Sequence, residues 1–256
     1  MNKIHYAEGY LLAPYHPVTV DVIGAGGTGC QVLTALARIN SSLVSLGHPG
    51  LDVTCYDDDI VTTANLGRQL FSPLEVGANK ANVLITRLNR FFGFDWDAVP
   101  ELYPNADGKT ANITISCVDN AKARIAIGKH LRKGKNICRE DQRKAFYWMD
   151  FGNGTETGQV VLGTIEAIHQ PKTTDTEAVK SLPCVDKMFN LSKVNEKDSG
   201  PSCSLAEALR KQDLFVNSTL ANLGCNILWK LISQGRIEYQ GLYMNLKTMK
   251  VNPINL

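Results

Sequence analysis

Apolar runs alternate with helical repeats along the first half of the chain, and this alternation predicts an α/β sheet. Short apolar runs, typical of buried strands, occupy 18–23, 51–56 and 112–118. Each run is followed by apolar residues at helical spacing, which predicts helices over 29–46, 77–92 and 121–131. Strands and helices in this order form a Rossmann-like, doubly wound, mostly parallel sheet, whose ligands bind at the carboxyl ends of the strands.

The second half of the chain has a different pattern. Residues 145–165 contain two apolar runs separated by a Gly/Asn/Thr turn, which predicts antiparallel additions to the sheet. The polar stretch 169–201 predicts a long mobile crossover loop. A helical stretch over 205–233, broken near Asp213, and a strand pair over 241–253 complete the prediction.

Composition and charge exclude several classes of protein. The chain has 256 residues, 27 basic and 25 acidic, so no net field attracts nucleic acid or a membrane. No apolar run is long enough to cross a bilayer, and no export signal precedes the seven cysteines. We therefore expect a cytoplasmic protein with reduced thiols. No CxxC pair occurs, so no structural zinc is expected.

A glycine-rich turn joins the first strand to the first helix. It consists of Gly24, Gly26, Gly27 and Gly29 in the pattern GxGGxG, which lets the backbone and a helix N-terminus approach phosphates. This pattern alone fits NAD, FAD or ATP. Asp57, at the end of the second strand, is suited to accept hydrogen bonds from ribose hydroxyls in each case.

The residues after Asp57 distinguish these nucleotides. Asn65, Arg68 and Gln69 follow in "DDDIVTTANLGRQLF", and Lys80 comes next. Hydride transfer needs no such pair of cations, whereas cleavage of ATP between its α- and β-phosphates builds negative charge that Arg and Lys stabilise. The alternative, that Arg68 and Lys80 are surface charges, is disfavoured by their joint spacing.

Asp119 follows the third predicted strand, where a ligand crevice is expected. A carboxylate there suits Mg²⁺, which prefers oxygen ligands and usually takes one or two from the protein. The other interpretation is that Asp119 caps the helix that begins after it, and both roles are compatible.

Four motifs together resemble a known family. "GAGGTG", "YDDDIVTTANLGRQ", "GANK" and "SCVDN" are similar to successive signatures of the ThiF/MoeB adenylyltransferases, which are related to ubiquitin-activating enzymes. The resemblance is close over 18–130, loose beyond, and strongest with ThiF-like proteins of bacterial PRTRC gene systems. It implies ATP and Mg²⁺ as cofactors, a small ubiquitin-like protein ending in Gly-Gly as partner, and a homodimer.

The resemblance also assigns roles to individual residues. Asp57 would bind ribose, while Asp59 and Asn65 would organise the nucleotide site. The remaining assignments are phosphate binding by Arg68 and Lys80, Mg²⁺ binding by Asp119, and a place in the nucleotide site for Gln69 and Asn120. One domain would span 1–256, with a nucleotide-binding half (1–130) and an antiparallel half (145–256).

The chain departs from its relatives in two respects. The two CxxC pairs that hold zinc in many of them are absent. Many relatives also insert an arginine from the N-terminal arm of one subunit into the partner's site, yet the first arginine here is Arg38. Lys3 or His5 is a possible substitute for it, as is Arg124 acting within its own chain.

Cysteines raise the question of a covalent intermediate. Cys203, in "GPSCSLAEALRKQ", precedes a predicted helix whose N-terminus favours thiolate, and relatives that form thioesters have a cysteine at a similar place. Cys184 is the rival because it lies in the predicted loop, and absence of any catalytic thiol is the third possibility. The cysteines interpreted as core residues are Cys30, Cys55, Cys117 and Cys225.

The sequence therefore predicts ATP-dependent adenylation of the terminal carboxylate of a small ubiquitin-like protein, with release of pyrophosphate and thioester formation as a possible next step. The alternatives are an NAD- or FAD-dependent oxidoreductase and a non-catalytic module that docks such a protein. Residues 212–217 ("QDLFVN") are candidates to line the channel for the partner's tail, although helix packing is the favoured interpretation.

Overall fold

A computed structural model describes residues 2–104, 109–134, 144–193 and 212–256. The strands, in chain order, are β1 (Asn2–Tyr6), β2 (Val18–Ile23), β3 (Leu51–Tyr56), β4 (Asp97–Val99), β5 (Ile113–Ser116), β6 (Tyr147–Asn153), β7 (Thr157–Thr164), β8 (Thr176–Ala178), β9 (Arg236–Ile237), β10 (Tyr239–Asn245) and β11 (Lys250–Asn255). The α-helices are α1 (Gly9–Leu12), α2 (Gly27–Ser45), α3 (Lys80–Phe92), α4 (Ala121–Gly134), α5 (Val185–Met188) and α6 (Val216–Ser233).

Eight strands form the central sheet, in the order β11-β10-β7-β6-β5-β2-β3-β4. The five strands from β6 to β4 are parallel to one another, and β7, β10 and β11 add to them antiparallel. The predicted mostly parallel α/β sheet with antiparallel additions is confirmed. One continuous sheet thus crosses both predicted halves of the chain.

The direction of the chain through the sheet reverses at β2. After β2 the chain moves outward through β3 to β4, and β5 then returns to the opposite side of β2. In open α/β sheets, ligands bind in the crevice outside the carboxyl ends of the strands at such a reversal. The glycine-rich turn follows β2 and Asp119 follows β5, so both flank this crevice.

Apolar side chains cover both faces of the sheet because successive residues of a strand point to opposite sides. In β6, Tyr147 and Phe151 contact the core beneath α2 and α6, whereas Trp148 contacts the core beneath α4 and α5. Trp148 is only 1% exposed, so the sheet is buried on both faces here. Such burial favours the near-continuous apolar runs that predicted the central strands.

A second, three-stranded sheet was not predicted. In it β1 lies between β8, to which it is parallel, and β9, to which it is antiparallel. The predicted loop at 169–201 is therefore partly regular structure: β8 and α5 lie within its described part. Among the residues described, no helix combines the length and the apolar character needed to cross a membrane.

Candidate active site

At two positions of the glycine-rich turn, an added Cβ would meet backbone atoms. Gly24 has a φ of +94°, and a Cβ there would lie 3.0 Å from the carbonyl oxygen of Cys117. A Cβ on Gly29 would overlap the carbonyl oxygen of Gly24. Gly26 is different, since a Cβ there would meet no atom within 4 Å. The turn is therefore tight at both ends and open at Gly26.

Helix α2 begins at Gly27, directly after this open position. The first N–H groups of an α-helix lack intrahelical acceptors and carry the positive end of the helix dipole. Such a helix start favours the binding of phosphate. The geometry of the turn therefore fits the predicted approach of phosphates to Gly26 and Gly27.

Asp57 links the end of β3 to the turn. Its carboxylate accepts hydrogen bonds from the backbone N–H of Ala25 at 2.5 Å and of Asp59 at 2.9 Å. Burial raises the pKa of Asp57, and these two N–H groups oppose the rise. Asp57 is thus fixed beside the open glycine, where the sequence predicts the nucleotide ribose.

Lys80 is held at the first residue of α3 and is almost completely buried. Its ammonium lies 2.6 Å from the carboxylate of Asp59, and the side chains are 8% and 66% exposed, respectively. Asn79 caps the helix by accepting the N–H of Asn82 at 3.0 Å. This cap explains why α3 begins at Lys80 rather than at 77, the predicted start.

Asn65 ends a short 3₁₀ turn, Thr63–Asn65, between β3 and α3. Its side-chain oxygen accepts the N–H of Thr62 at 2.8 Å and the hydroxyl of Thr62 at 3.1 Å. The residue therefore shapes the backbone that leads to Arg68 and Gln69. The organising role of Asn65 in a nucleotide site stays a prediction.

Arg68 and Gln69 have buried polar atoms without partners among the described residues. These atoms are Nε of Arg68 and Oε1 of Gln69. Nη1 of Arg68 donates to Oε1 of Gln212 at 2.6 Å, and no carboxylate in the described ranges is within ion-pair distance of this guanidinium. Burial lowers the pKa of Arg68. Buried unsatisfied groups are rare in proteins and are typical of sites that take a ligand.

A network of neutral side chains connects Arg68 to the start of α2. Gln212 bonds to Asn217 at 3.0 Å, the hydroxyl of Thr28 donates to Asn217 at 3.0 Å, and Asn153 donates to Thr28 at 2.9 Å. Sequence reasoning missed Thr28 and Asn153 and favoured helix packing for Gln212 and Asn217. The sequence signal that could have indicated these residues is their position as polar residues at the ends of apolar strands and helices.

Asp119 is exposed and lies at the carboxyl end of the sheet, after β5. Its neighbour Asn120 donates to it at 3.1 Å and accepts the N–H of Ala123 at 2.8 Å. The helix cap is therefore Asn120, not Asp119 as the second interpretation held. An exposed carboxylate in this crevice is a suitable oxygen ligand for a divalent cation.

A cleft of about 640 Å³ begins at Asp119 and extends over the antiparallel strands. Arg124, Asn153 and Gly154 line it near Asp119, and residues of β7, β10 and β11 line it further out. Asn153 belongs both to this cleft and to the amide network at Arg68. The cleft and the glycine-rich turn are thus adjacent.

Arg124 is not an uncompensated cation. Its guanidinium lies 2.9 Å from the carboxylate of Asp150, and the side chains are 12% and 1% exposed. Asp150 also accepts the hydroxyl of Ser116 at 2.5 Å, and Ser116 accepts the indole N–H of Trp148 at 2.7 Å. Burial raises the pKa of Asp150, and Arg124 opposes that rise. Arg124 therefore has a structural partner that the sequence did not reveal.

The N-terminal candidates for a cation are not near this crevice. His5 is completely buried in β1, where its ring nitrogens contact the carbonyl of Val179 at 2.6 Å and the hydroxyl of Tyr147 at 2.9 Å. Lys3 lies on the same strand, paired in register with Glu177 of β8. The strand that carries both residues, β1, pairs with β8 and β9 in the three-stranded sheet.

The structure describes one of the two candidate reactive cysteines, Cys184. Cys184 is 3% exposed, precedes α5, and burial raises its pKa to about 12, so the thiolate is disfavoured. Cys203 lies outside the described residues. Cys30, Cys55 and Cys225 are buried and Cys117 is half-buried, in agreement with the prediction that they are core residues.

These features define a nucleotide-type crevice of an open α/β sheet, with a glycine turn, two cations and an exposed carboxylate around it. The model of the ThiF family matches residues 16–254, and the chain belongs to the ThiF family. This membership confirms the family that the four motifs predicted. No curated protein sequence matches the chain.

Solved structures share the fold at low sequence identity. Crystalline PaaA has a TM-score of 0.61 and 14% identity, and the match covers 93% of this chain and 64% of PaaA. Escherichia coli MccB with AMPCPP and MccA has a TM-score of 0.60 and 16% identity, with 93% of this chain and 63% of MccB covered. MccB with ATP has a TM-score of 0.58 and 16% identity, with 96% and 64% covered. The chain thus spans less than two thirds of these neighbours.

Proposed function

We propose that the protein uses MgATP to adenylate the terminal carboxylate of a small protein or peptide, with release of pyrophosphate. The observation that carries this proposal is the combination, at the sheet's reversal point, of an open glycine turn and a half-buried arginine that has no carboxylate partner among the described residues. A neutral ligand does not compensate such a charge, whereas a triphosphate does. Family membership and the structures of MccB with ATP and with AMPCPP support the same choice.

The residues divide the work of binding and charge stabilisation. The triphosphate lies against Gly26 and the start of α2, and the ribose hydroxyls donate to Asp57. Arg68 and Lys80 stabilise the charge that accumulates as pyrophosphate departs, and Gln69 completes the polar wall with its buried amide oxygen. Loss of one such contact typically costs about 10²–10³ in rate.

Asp119 would hold the magnesium ion, with Asn120 orienting its carboxylate through the bond between them. When bound, Mg²⁺ neutralises phosphate charge and aligns the phosphates for displacement. The terminal carboxylate of the partner needs activation because it is a poor electrophile, while AMP is a good leaving group. The attacking carboxylate oxygen reaches the α-phosphate from the cleft beside Asp119.

The partner in this proposal is a small ubiquitin-like protein with a Gly-Gly tail, which enters the cleft over β7, β10 and β11. Glycine, amide, hydroxyl and apolar groups line this cleft, and they suit an extended, uncharged chain. MccB has been crystallised together with MccA, which supports a second chain as the substrate class. Homodimerisation and thioester formation at Cys203 belong to the proposal through family resemblance.

The test is exchange of labelled pyrophosphate into ATP, measured with Mg²⁺ and a panel of ubiquitin-like proteins ending in Gly-Gly. We expect exchange that needs both MgATP and a panel member, and that falls at least about 10²-fold in Asp119→Ala. Glu238→Ala, which removes an exposed carboxylate after β9, is the matched control and retains exchange. Tight binding of NAD with no response to ATP would support an oxidoreductase instead. Unchanged exchange in Asp119→Ala would contradict the assigned role of that residue.

A further inference from the structure

Arg68 is held by a residue that lies 144 positions away in the sequence. Oε1 of Gln212 accepts its Nη1 at 2.6 Å and also accepts Nδ2 of Asn217 at 3.0 Å. The amide nitrogen of Gln212 donates to the carbonyl oxygen of Gly154 at 3.1 Å. Both ends of this amide are therefore fixed, and its orientation determines where the oxygen meets Arg68.

The partner of Arg68 is neutral, in contrast to those of three other arginines in the described part of the chain. Three arginines pair with carboxylates at 2.6–2.9 Å, namely Arg87 with Glu75, Arg124 with Asp150 and Arg132 with Asp186. A carboxylate would orient a guanidinium more strongly than an amide does, but would also neutralise it. An amide orients the group and leaves its full charge available to an anion.

The support for Gln212 extends to the phosphate-binding turn. Asn217 is 2% exposed and contacts the hydroxyl of Thr28 in the first turn of α2. Buried amides that satisfy one another in this way are rigid, and their loss leaves unsatisfied groups. Arg68 and the N-terminus of α2 are thus attached to one network.

We propose that Gln212 is a positioning residue, which orients Arg68 toward the phosphates of the nucleotide and keeps its charge uncompensated. This inference rests on the proposed function, since it needs a polyphosphate ligand in the crevice. It explains why the position next to a half-buried guanidinium carries an amide and not a carboxylate. The nucleotide phosphates then supply the only negative charge that Arg68 meets among the groups described here.

The test compares Gln212→Glu with Gln212→Ala by calorimetric titration of the full chain with AMPCPP and with inorganic tripolyphosphate. Both variants lose the bond to Gly154. Gln212→Glu keeps an oxygen acceptor for Arg68 and Asn217 and adds a negative charge, whereas Gln212→Ala removes the acceptor and adds no charge. We expect Gln212→Ala to weaken AMPCPP binding about 2- to 10-fold, because Arg68 then lacks the hydrogen bond that orients it. Gln212→Glu is expected to weaken it about 10- to 100-fold, because Arg68 is then neutralised.

Two further variants test whether the effect of Gln212→Glu on AMPCPP binding depends on Arg68. In an Arg68→Ala background, Gln212→Glu should change AMPCPP affinity less than about 2-fold, since the coupling between the two residues is gone. Gln234→Glu adds the same charge at the exposed C-terminal end of α6 and should bind AMPCPP as the unaltered protein does. Thermal unfolding of each variant verifies that it is folded.

The outcomes distinguish this inference from the proposed function. If Gln212→Glu binds AMPCPP as tightly as Gln212→Ala or more tightly, the charge of the partner is irrelevant and the inference is wrong. The inference also fails if Gln212→Glu weakens binding equally with and without Arg68. If the folded, unaltered protein binds neither AMPCPP nor tripolyphosphate, the proposed function itself fails, and the inference fails with it.

Discussion

Lys80 and Arg68 carry the same charge but lie in different environments. Lys80 is buried against Asp59, so an incoming phosphate must share its ammonium with that carboxylate. Among the described side chains, the guanidinium of Arg68 hydrogen-bonds only to the amide of Gln212. We therefore expect Arg68 to contribute more to phosphate binding than Lys80, although the sequence motifs assign phosphate binding to both residues.

Gly26 and Gly29 allow the phosphate-binding turn to be tested with a single added methyl group each. Gly26→Ala places a Cβ in open space, so we expect normal stability and about 10- to 100-fold weaker AMPCPP binding. Gly29→Ala overlaps the backbone of Gly24, and overpacking of this kind costs about 1–3 kcal/mol or more. Urea unfolding and calorimetric titration check both variants. Equal AMPCPP affinity in Gly26→Ala and the unaltered protein would show that phosphates bind elsewhere.

The Arg124–Asp150 pair predicts a large effect on stability. Arg124→Ala leaves the carboxylate of Asp150 buried without its cation, and breaking a buried pair in this way costs about 3–5 kcal/mol. Arg132→Ala removes a more exposed cation from Asp186, and the expected loss is about 1 kcal/mol. Urea unfolding of the two variants measures the difference. Similar losses in both would mean that Asp150 is solvated or protonated, contrary to the geometry.

At the scale of elements, the sequence predicted the strands and helices that the local apolar pattern determines. Strands β2 and β3 have the predicted bounds, and the helices predicted over 29–46, 77–92 and 121–131 differ by a few residues at their ends. In the described part of the stretch predicted as helical over 205–233, the helix begins only at Val216. The three-stranded sheet was missed because its short strands depend on distant pairing: Asn2 pairs with Thr176, and His5 with Ile237. Such strands carry no periodicity of their own, so the region of β8 resembled a loop.

The burial of His5 predicts how the stability of this small sheet depends on pH. Burial lowers the pKa of His5 from its ordinary value of 6.5, and the hydrogen bond to Val179 opposes the shift. Below 6.5 the unfolded chain protonates this histidine before the folded chain does, so the free energy of unfolding decreases as the pH falls. The expected slope is at most about 1.4 kcal/mol per pH unit.

Thermal unfolding of His5→Gln between about pH 5 and 7.5 measures this contribution, because the variant cannot take up the proton. We expect a shallower decline of Tm on acidification than in the unaltered protein. His16→Gln, at an exposed histidine, is the control and should keep the original slope. An identical slope in His5→Gln would mean that His5 does not titrate between the folded and unfolded states.

At the scale of the whole molecule, the reversal of strand order assembles the site from distant segments. The motifs located one wall of the crevice in the sequence, with Gly26, Asp57, Arg68, Lys80 and Asp119. The contacts of Gln212, Asn217 and Asn153 with that wall were not predictable, because only the fold of the antiparallel half places them there. Sequence pattern thus identifies the groups that would meet a ligand, and tertiary structure identifies the groups that hold them.

The central claim is that this crevice binds the triphosphate of ATP. Its most direct test is a crystal structure of the protein with AMPCPP and Mg²⁺. We predict phosphate oxygens within hydrogen-bonding distance of the N–H groups at Gly26 and Gly27, of Arg68 and of Lys80, with the metal on Asp119. A nucleotide bound at another surface, with Arg68 and Lys80 several ångströms from any phosphate, would contradict the account.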